Sequence, residues 1–330
     1  MAQKSKSRSK LFITLVGLIG LLSSCTQTPS IISRRYVAFD TTLYFDYEGD
    51  KEFQDTLVSP INKMSDLFDT YKAIPEMNNA YVINNSDDFV TVDKDLFEVL
   101  SQADGYYQET NGLFNPLIKD VSELWKSSLE EGELPSQDEI NVLLEKLDAS
   151  FLDFNGTDKV KIAGEGQIDL GAIAKGYALS RIKKLIKQEG ITNYIFNAGY
   201  SSIILGENSQ NDGIYRVGIK RAKPEYDELY LELKNTSVGT SSIYEQNYLE
   251  KDGKIYSHIV NGITGSAEVK HHMVIVVSED PILSDVYSTV GMMLSIDEIK
   301  ELENDIAAKF ITLTDGKVTY SNPDIEVLKR

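Results

Sequence analysis

The chain has 330 residues, a single cysteine and a formal net charge of −18. So acidic a chain is poorly suited to phosphate backbones, which bind lysine and arginine, and we expect no nucleic-acid partner. One cysteine allows no internal disulfide, so a hydrophobic core must stabilise the fold, and the length suffices for one large domain or two fused ones.

The first residues predict export and lipid attachment. Four positive residues lie among the first ten, and the apolar segment 11–22 that follows is too short to span a membrane stably. The sequence 22–25, Leu-Ser-Ser-Cys, is similar to a bacterial lipobox. We therefore expect a lipoprotein signal peptide at 1–24, lipidation of Cys25, and a tether at 25–34 on the extracytoplasmic face of the cell membrane. An ordinary signal peptide or an uncleaved anchor is the alternative.

Residues 35–330 are expected to form the folded body, helical in its first half. Its predicted elements there are a strand at 35–45, helices at 52–71, 93–110, 117–125 and 137–147, and a hairpin of 151–154 with 159–162. Strands then dominate, at 194–197, 202–205, 215–219, 229–233, 243–249, 254–260 and 274–277. Helices from Pro281 and Ile296 and a hairpin at Asp315-Gly316 follow. This segregation indicates an α+β fold, with mixed helices packed on a predominantly antiparallel sheet.

The segment Ile168–Ala178 opens an amphipathic helix and carries both a carboxylate and a cation. Asp169 is predicted to be the N-cap, and Gly171 lets the backbone approach a ligand. Lys175 lies near the helix N-terminus, where a cation is unfavourable unless an anion lies between them. The pattern indicates a site for a phosphorylated ligand, and a capped core helix with a solvated lysine is the alternative.

A second helix, with Asp280 as N-cap and Pro281 in its first position, carries Asp285 and Thr289 on its apolar face. A buried carboxylate is costly without a partner, and hard oxygen donors of this kind suit magnesium. The alternative is an Asp285–lysine pair, with Thr289 bonded to its own helix.

The three histidines lie in two places. His258 ends a predicted strand in S-H-I-V-N-G-I-T-G, where it could act as a general base or contact a phosphate, or be an ordinary strand-end histidine. His271 and His272 are predicted to lie in an exposed loop.

Together these segments resemble the FAD:protein FMN transferase family, the ApbE-like flavin transferases, over residues 39–302. The family's D-L-G-x-I-A-K-G-Y-A motif is present at 169–178. Its S-x-G-x-F-x-P to L-W region resembles 110–125, its H-I-hydrophobic-D-P-x-T-G loop resembles 258–265, and its D-x-x-x-T helix matches 285–289.

The resemblance implies an ApbE-like flavin transferase fold at 35–330 and an enzyme that transfers FMN from FAD to a Thr or Ser hydroxyl of a partner flavoprotein, releasing AMP. His258 and Asp285 would be catalytic. Magnesium would be held by Asp285, Thr289 and the backbone carbonyl of Ala172. The substrate FAD would be bound by Asn78, Asn79, Asp169, Lys175, His258 and Ile259.

The chain departs from the family pattern on the flavin and acceptor sides. Tyr200 replaces the second glycine of an N-x-G-G-D/N loop, where its ring would either stack on the flavin or block it. The segment 240–246 lacks the acid and the arginine of the family's T-S-G-D-Y-x-R motif. The family's D-P in the loop after the histidine is replaced by Asn261-Gly262, and its M-G-T near the first strand is replaced by Phe-Asp-Thr at 39–41. Hydrolysis of FAD to FMN and AMP, and FAD binding without catalysis, therefore stay as alternatives.

Overall fold

The computed structural model describes residues 30–330, apart from the side chain of Glu245. The predicted signal peptide, the predicted lipidation site Cys25 and most of the predicted tether lie outside the described residues. Across residues 30–330, none of the helices has the length and apolar character needed to cross a membrane.

Helices and strands are both abundant, as the predicted α+β class requires. The helices are α1 Phe53–Thr56, α2 Val58–Leu67, α3 Ala80–Asn84, α4 Lys94–Glu109, α5 Lys119–Glu131, α6 Gln137–Asp148, α7 Ala174–Gln188, α8 Pro281–Met293 and α9 Ile296–Leu302. The strands are β1 Ile31–Ala38, β2 Thr41–Glu48, β3 Val90–Thr91, β4 Phe151–Asn155, β5 Lys159–Ala163, β6 Tyr194–Ala198, β7 Ser202–Leu205, β8 Tyr215–Gly218, β9 Leu229–Leu233, β10 Thr236–Ser242, β11 Leu249–Lys251, β12 Lys254–Tyr256, β13 Glu268–Val269, β14 Met273–Ser278, β15 Lys309–Thr314, β16 Lys317–Ser321 and β17 Val327–Lys329.

A central antiparallel sheet organises the molecule, with strand order β1-β2-β6-β7-β10-β14-β15-β16. On one face, Leu43, Phe45 and Tyr47 of β2 pack against α7 and the α1–α2 segment in one hydrophobic core. On the other face, β7, β10, β14 and β15 pack against the small sheet β17-β9-β8. The centre of the sheet is thus covered on both faces. At β1 and β2, the face opposite α7 is not covered by the small sheet.

Strand β10 is rich in small residues because α8 lies directly on it. A Cβ at Gly239 would be 2.0 Å from the carbonyl oxygen of Ser284, far inside contact distance. The run Thr-Ser-Val-Gly-Thr-Ser-Ser does not look like a strand in sequence, and it was not predicted. The strand predicted at 243–249 is wrong: residues 243–245 form a 3-10 turn, and β11 begins only at Leu249.

Helices α7 and α8 also meet at a contact too close for a Cβ. A Cβ at Gly176 would lie 2.6 Å from the Pro281 carbonyl oxygen and 2.7 Å from Cβ of Asp285. Glycine at position 176 therefore lets the first turn of α7 contact α8 at Asp285.

The single strand predicted at 35–45 is instead the β1–β2 hairpin, in which Ile31 pairs with Glu48. Its turn residues Phe39 and Asp40 both have positive φ, 52° and 53°. Such a turn normally carries Asn-Gly or Asp-Gly, so Phe-Asp gives no sequence signal. The folded body accordingly begins four residues before the predicted boundary at residue 35.

Candidate active site

A cavity of about 710 Å³ opens where α7 begins, beside the middle of α8. Its wall also includes the turns at 39–41 and 199–201, the end of α2 with the loop that follows it (65–72), the 113–118 loop, part of α5, the end of β10 and the loop after β12. The structure brings to this cavity most of the residues that the sequence selected: Asp169, Ala172, Lys175, His258, Ile259, Asp285 and Thr289.

Asp285 is the most constrained of these residues. It is 5% exposed, and its two carboxylate oxygens accept hydrogen bonds from the Ser202 hydroxyl at 2.6 Å and from the Gly176 amide at 2.8 Å. Burial raises the pKa of this carboxyl above its usual range, although the charge of Lys175 and both hydrogen bonds act in the opposite direction. Its hydrogen-bond donors are neutral, so a cation at the cavity would stabilise its ionised form.

The bond to Gly176 also changes the start of α7. In a regular helix this amide would donate to the carbonyl four residues earlier, that of Ala172. Here it donates to Asp285, and the helix begins only at Ala174. The Ala172 carbonyl therefore lacks its regular helical donor, at a residue that lines the cavity.

Thr289 lies one helical turn after Asp285 and is half-buried. Its hydroxyl is 3.1 Å from that of Ser241 on β10, which also lies 2.9 Å from the hydroxyl of Ser288. Ser288, rather than Thr289, bonds back to its own helix at the carbonyl of Asp285. The Thr289 hydroxyl is thus held by a strand, at a residue that lines the cavity.

These donors fit a magnesium ion. Among residues 30–330 no three His, Cys, Asp or Glu side chains cluster closely enough to form a metal cage. Magnesium does not need one, since it is commonly bound through one or two carboxylates with waters and substrate phosphates. One carboxylate, one hydroxyl and one backbone carbonyl, from Asp285, Thr289 and Ala172, form such an incomplete set of hard oxygen donors.

Asp169 does not cap α7, contrary to the sequence prediction. The N-cap residue is Ile173, which has no capping side chain. Asp169 instead accepts a hydrogen bond from the Gly171 amide at 2.7 Å, and its own amide donates to the Pro116 carbonyl at 2.8 Å. It closes a tight turn before the helix, because an aspartate side chain readily bonds the amide two residues on. Lys175, in the first turn of α7, lies half-buried in the cavity wall.

The loop carrying His258 and Ile259 is fixed by its own side chains. His258 is half-buried and Ile259 is 5% exposed. The Asn261 side chain accepts hydrogen bonds from the amides of Ile263 and Thr264, at 2.9 and 3.0 Å, so asparagine can organise this turn where the family has aspartate. A Cβ at Gly262 would be 2.2 Å from the Gly112 carbonyl oxygen, so this loop packs tightly on the 110–116 loop.

The exposed loop predicted at His271 and His272 is wrong. Both histidines are buried, at 4% and 6% exposure. His271 contacts the Leu294 carbonyl at 2.9 Å, and burial lowers its pKa. His272 Nδ1 lies 2.7 Å from the Tyr244 hydroxyl. The two side chains join neighbouring elements and do not reach the cavity.

Asn78 and Asn79 are not brought to the cavity. Asn78 is exposed and donates to the Thr91 carbonyl. Asn79 is fully buried as the N-cap of α3, and its amide group donates to the carbonyls of Asp66 and Lys72 at 3.2 and 2.8 Å. Asn79 therefore shapes the cavity indirectly, by joining the last turn of α2 to Lys72 in the loop that follows it.

Sequence reasoning missed that loop and its support. Lys119 of α5 is only 7% exposed; its ammonium donates to the Thr70 carbonyl at 2.7 Å and lies 4.6 Å from the Tyr71 ring centroid. Tyr71 is 63% exposed at the cavity wall. The sequence feature that could have indicated this support was Lys119 itself, a lysine on the apolar face of α5. Ser202, the partner of Asp285, gave none.

Tyr200 neither stacks within the cavity nor blocks it. Gly199 and Ser201 line the cavity, whereas the Tyr200 side chain is 56% exposed and its ring lies 5.9 Å from that of Tyr44. The loss of the second glycine thus leaves the cavity wall open.

Comparison with known proteins agrees with this architecture. The chain is 26% identical over 279 residues to the FAD:protein FMN transferase of Klebsiella pneumoniae (strain 342), covering 81% of this chain and 84% of that protein. The ApbE protein of Thermotoga maritima has a similar structure, with a TM-score of 0.74, 22% identity, and coverage of 88% of this chain and 97% of that one. The structure of Pseudomonas stutzeri flavinyl transferase ApbE, in its apo form, is also similar, with a TM-score of 0.72 and 19% sequence identity. That match covers 91% of this chain and 95% of the other. The ApbE family profile matches residues 37–310, and the chain belongs to the ApbE family.

Proposed function

We propose that the protein is an FAD:protein FMN transferase that requires magnesium and releases AMP. The observation that carries the proposal is the buried Asp285 carboxylate, held by Ser202 and Gly176 in a cavity that also presents Lys175. The names of the sequence relatives support the reaction, and the preserved residues support the phosphate chemistry.

The reaction forms one bond to phosphorus and breaks another. A Thr or Ser hydroxyl oxygen of the acceptor protein bonds to the phosphorus of the FMN half of FAD. The bond from that phosphorus to the bridging oxygen breaks, and the oxygen leaves with AMP. Catalysis of such a transfer depends mainly on positioning and on stabilising negative charge.

The residues of the chain divide these tasks. Asp285, Thr289 and the Ala172 carbonyl would hold magnesium, which when bound supplies positive charge to the pyrophosphate oxygens. Lys175 adds a second positive charge, at a helix N-terminus that is itself favourable to anions. His258 is the candidate base that takes the proton of the acceptor hydroxyl, since an imidazole can accept a proton near neutral pH.

We further propose that the mature protein is a lipoprotein, anchored through Cys25 on the extracytoplasmic face of the cell membrane, with extracytoplasmic flavoproteins as acceptors. The support is sequence alone: a positive segment, a short apolar segment and then the only cysteine of the chain. Metabolic labelling with palmitate should mark the protein and spare the Cys25→Ser variant. Equal labelling of both would refute the anchor.

The activity is tested by incubating the protein with FAD, magnesium and a threonine-bearing acceptor domain. Flavin fluorescence on a denaturing gel should then move with the acceptor, and the Asp285→Ala variant should give no labelled band. Free FMN without labelled protein would indicate a hydrolase instead. Tight binding of unchanged FAD would refute both enzymatic reactions.

A further inference from the structure

Tyr200 occupies a backbone conformation that normally selects glycine. Its φ is +66°, and Gly199 before it also has φ of +66°. The turn is held from the side by Asn197, whose side chain accepts a hydrogen bond from the Tyr200 amide at 2.8 Å. A large side chain here is disfavoured by the backbone. It also contributes little to the core, because more than half of it is exposed.

Tyr200 belongs to a surface patch of two tyrosines and two cations, Arg35, Tyr44, Tyr200 and Lys220, which we call the tyrosine–cation patch. The Arg35 guanidinium lies 5.2 Å from the Tyr44 ring centroid, and the Lys220 ammonium lies 5.8 Å from that of Tyr200. Arg35 and Tyr44 are paired across β1 and β2. Since Leu43 and Phe45 of β2 face α7, Tyr44 lies on the opposite, uncovered face of the sheet.

The tyrosine–cation patch is continuous with the mouth of the cavity. Gly199 and Ser201, the chain neighbours of Tyr200, both line the cavity, and so does Thr41 at the start of β2. The patch therefore begins one residue from the cavity wall. A macromolecule that presents a group to the cavity on this side must pass over the patch.

The patch carries two cations on a chain whose net charge is −18. The charged groups that act on the Tyr200 hydroxyl are Lys220 and Arg35; both lower its pKa, against a larger rise caused by Tyr44. The carboxylate of Asp46 is on the same face of β2, two residues farther from the cavity end. Tyrosine and arginine are enriched among the hot-spot residues of protein interfaces. The net negative charge of the rest of the protein, in contrast, disfavours acidic partners.

We propose that the tyrosine–cation patch is the docking surface for the acceptor protein, and that it binds an acidic segment adjoining the acceptor hydroxyl. This inference rests on the proposed function, which requires a protein to present a hydroxyl at this mouth. The cations pair with carboxylates of the segment, and the two tyrosine rings pack along it. The patch also explains why this chain carries a tyrosine where the backbone favours glycine.

The test measures binding without turnover. A fluorescein-labelled peptide with one threonine followed by a run of aspartate and glutamate is titrated with the protein, and anisotropy is recorded; the reference peptide has asparagine and glutamine in the run. The acidic peptide should bind about tenfold tighter or more. The double variant Arg35→Glu/Lys220→Glu should lose that preference. Tyr200→Gly, which relieves the backbone, should fold normally and weaken the acidic peptide severalfold.

A matched control separates the patch from net charge. Lys184→Glu/Lys187→Glu makes the same change in charge with exposed residues of α7, on the opposite face of the sheet. It should keep the preference for the acidic peptide, and all variants should bind FAD like the wild type. Equal binding of the two peptides by the wild type, or equal losses in both double variants, would overturn the proposal. Failure of the transferase reaction would show instead as no flavin covalently bound to any acceptor, with or without AMP release, and would leave these affinities unchanged.

Discussion

The hydroxyl of Ser202 offers a sharp test of the metal site. Ser202→Ala removes the donor that lies 2.6 Å from one oxygen of Asp285 and leaves only the Gly176 amide on the other. Ser202 is 2% exposed, so water cannot readily replace it. A hydrogen bond to a charged group is worth about 1.5–3 kcal/mol, and loss of such an outer partner typically weakens metal affinity about 10–100-fold. We expect that loss in magnesium affinity.

The assay is the rise in melting temperature during a magnesium titration, because a ligand that binds only the native state stabilises it in proportion to ln(1 + [L]/Kd). Ser237→Ala is the matched control: Ser237 is fully buried in the same sheet, and its hydroxyl donates to the Ser278 carbonyl at 2.6 Å. It should lower the melting temperature and leave magnesium affinity intact. Unchanged affinity in Ser202→Ala, or equal losses in both variants, would refute the assignment of Asp285 as the metal carboxylate.

Three further substitutions test the rest of the site. Asp285→Asn should abolish transfer and metal-induced stabilisation. Burial raises the pKa of the Asp285 carboxyl, so its ionisation lowers the stability of the wild type as pH rises through that pKa. Without metal, the Asp285→Asn variant should therefore melt no lower than the wild type at neutral pH, and any gain in its melting temperature should disappear in acid. A lower melting temperature of the variant at neutral pH would contradict this. Gly176→Ala should lower the free energy of unfolding, measured with denaturant, by about 1–3 kcal/mol, because its Cβ would meet the Pro281 carbonyl at 2.6 Å. In Gly190→Ala the new Cβ has no atom within 4 Å, but φ is +70°, so this variant measures backbone strain alone. Lys175→Met should weaken FAD binding in a fluorescence titration while leaving the melting temperature nearly unchanged, and wild-type FAD affinity would exclude a phosphate contact.

Local chemistry made much of the fold predictable. Asp280 and Pro281 start α8 as predicted, and the hairpin turn at Asp315-Gly316 joins β15 to β16. Strands β7 and β9 have the predicted bounds. In each case the residues that fix the backbone are adjacent in sequence, so no tertiary information is needed.

The missed elements depend on distant contacts. Strand β10 contains Gly239, a poor strand former, because α8 must lie against it. The β1–β2 turn uses Phe39 and Asp40 in place of a glycine. His271 and His272 look polar in sequence but are buried between elements far apart in the chain. Tertiary packing overrides local preference at each of these places.

The candidate site shows the same division. Lys175 and Asp285 were selected because each was physically out of place in its own helix, and the structure brings both to one cavity. Ser202 and Lys119 act through hydrogen bonds to residues 83 and 49 positions away, a relation that no sequence period encodes. Asn79 was selected for the wrong reason, since its side chain caps a helix and holds a loop.

The most direct test of the central claim is a count of products in one reaction. The protein, FAD, magnesium and an acceptor protein are incubated together, and released AMP and flavin covalently bound to the acceptor are both quantified. We predict equal amounts of the two, and neither product with Asp285→Ala. AMP in excess of protein-bound flavin, with free FMN making up the difference, would contradict the transferase account and show that water is the acceptor.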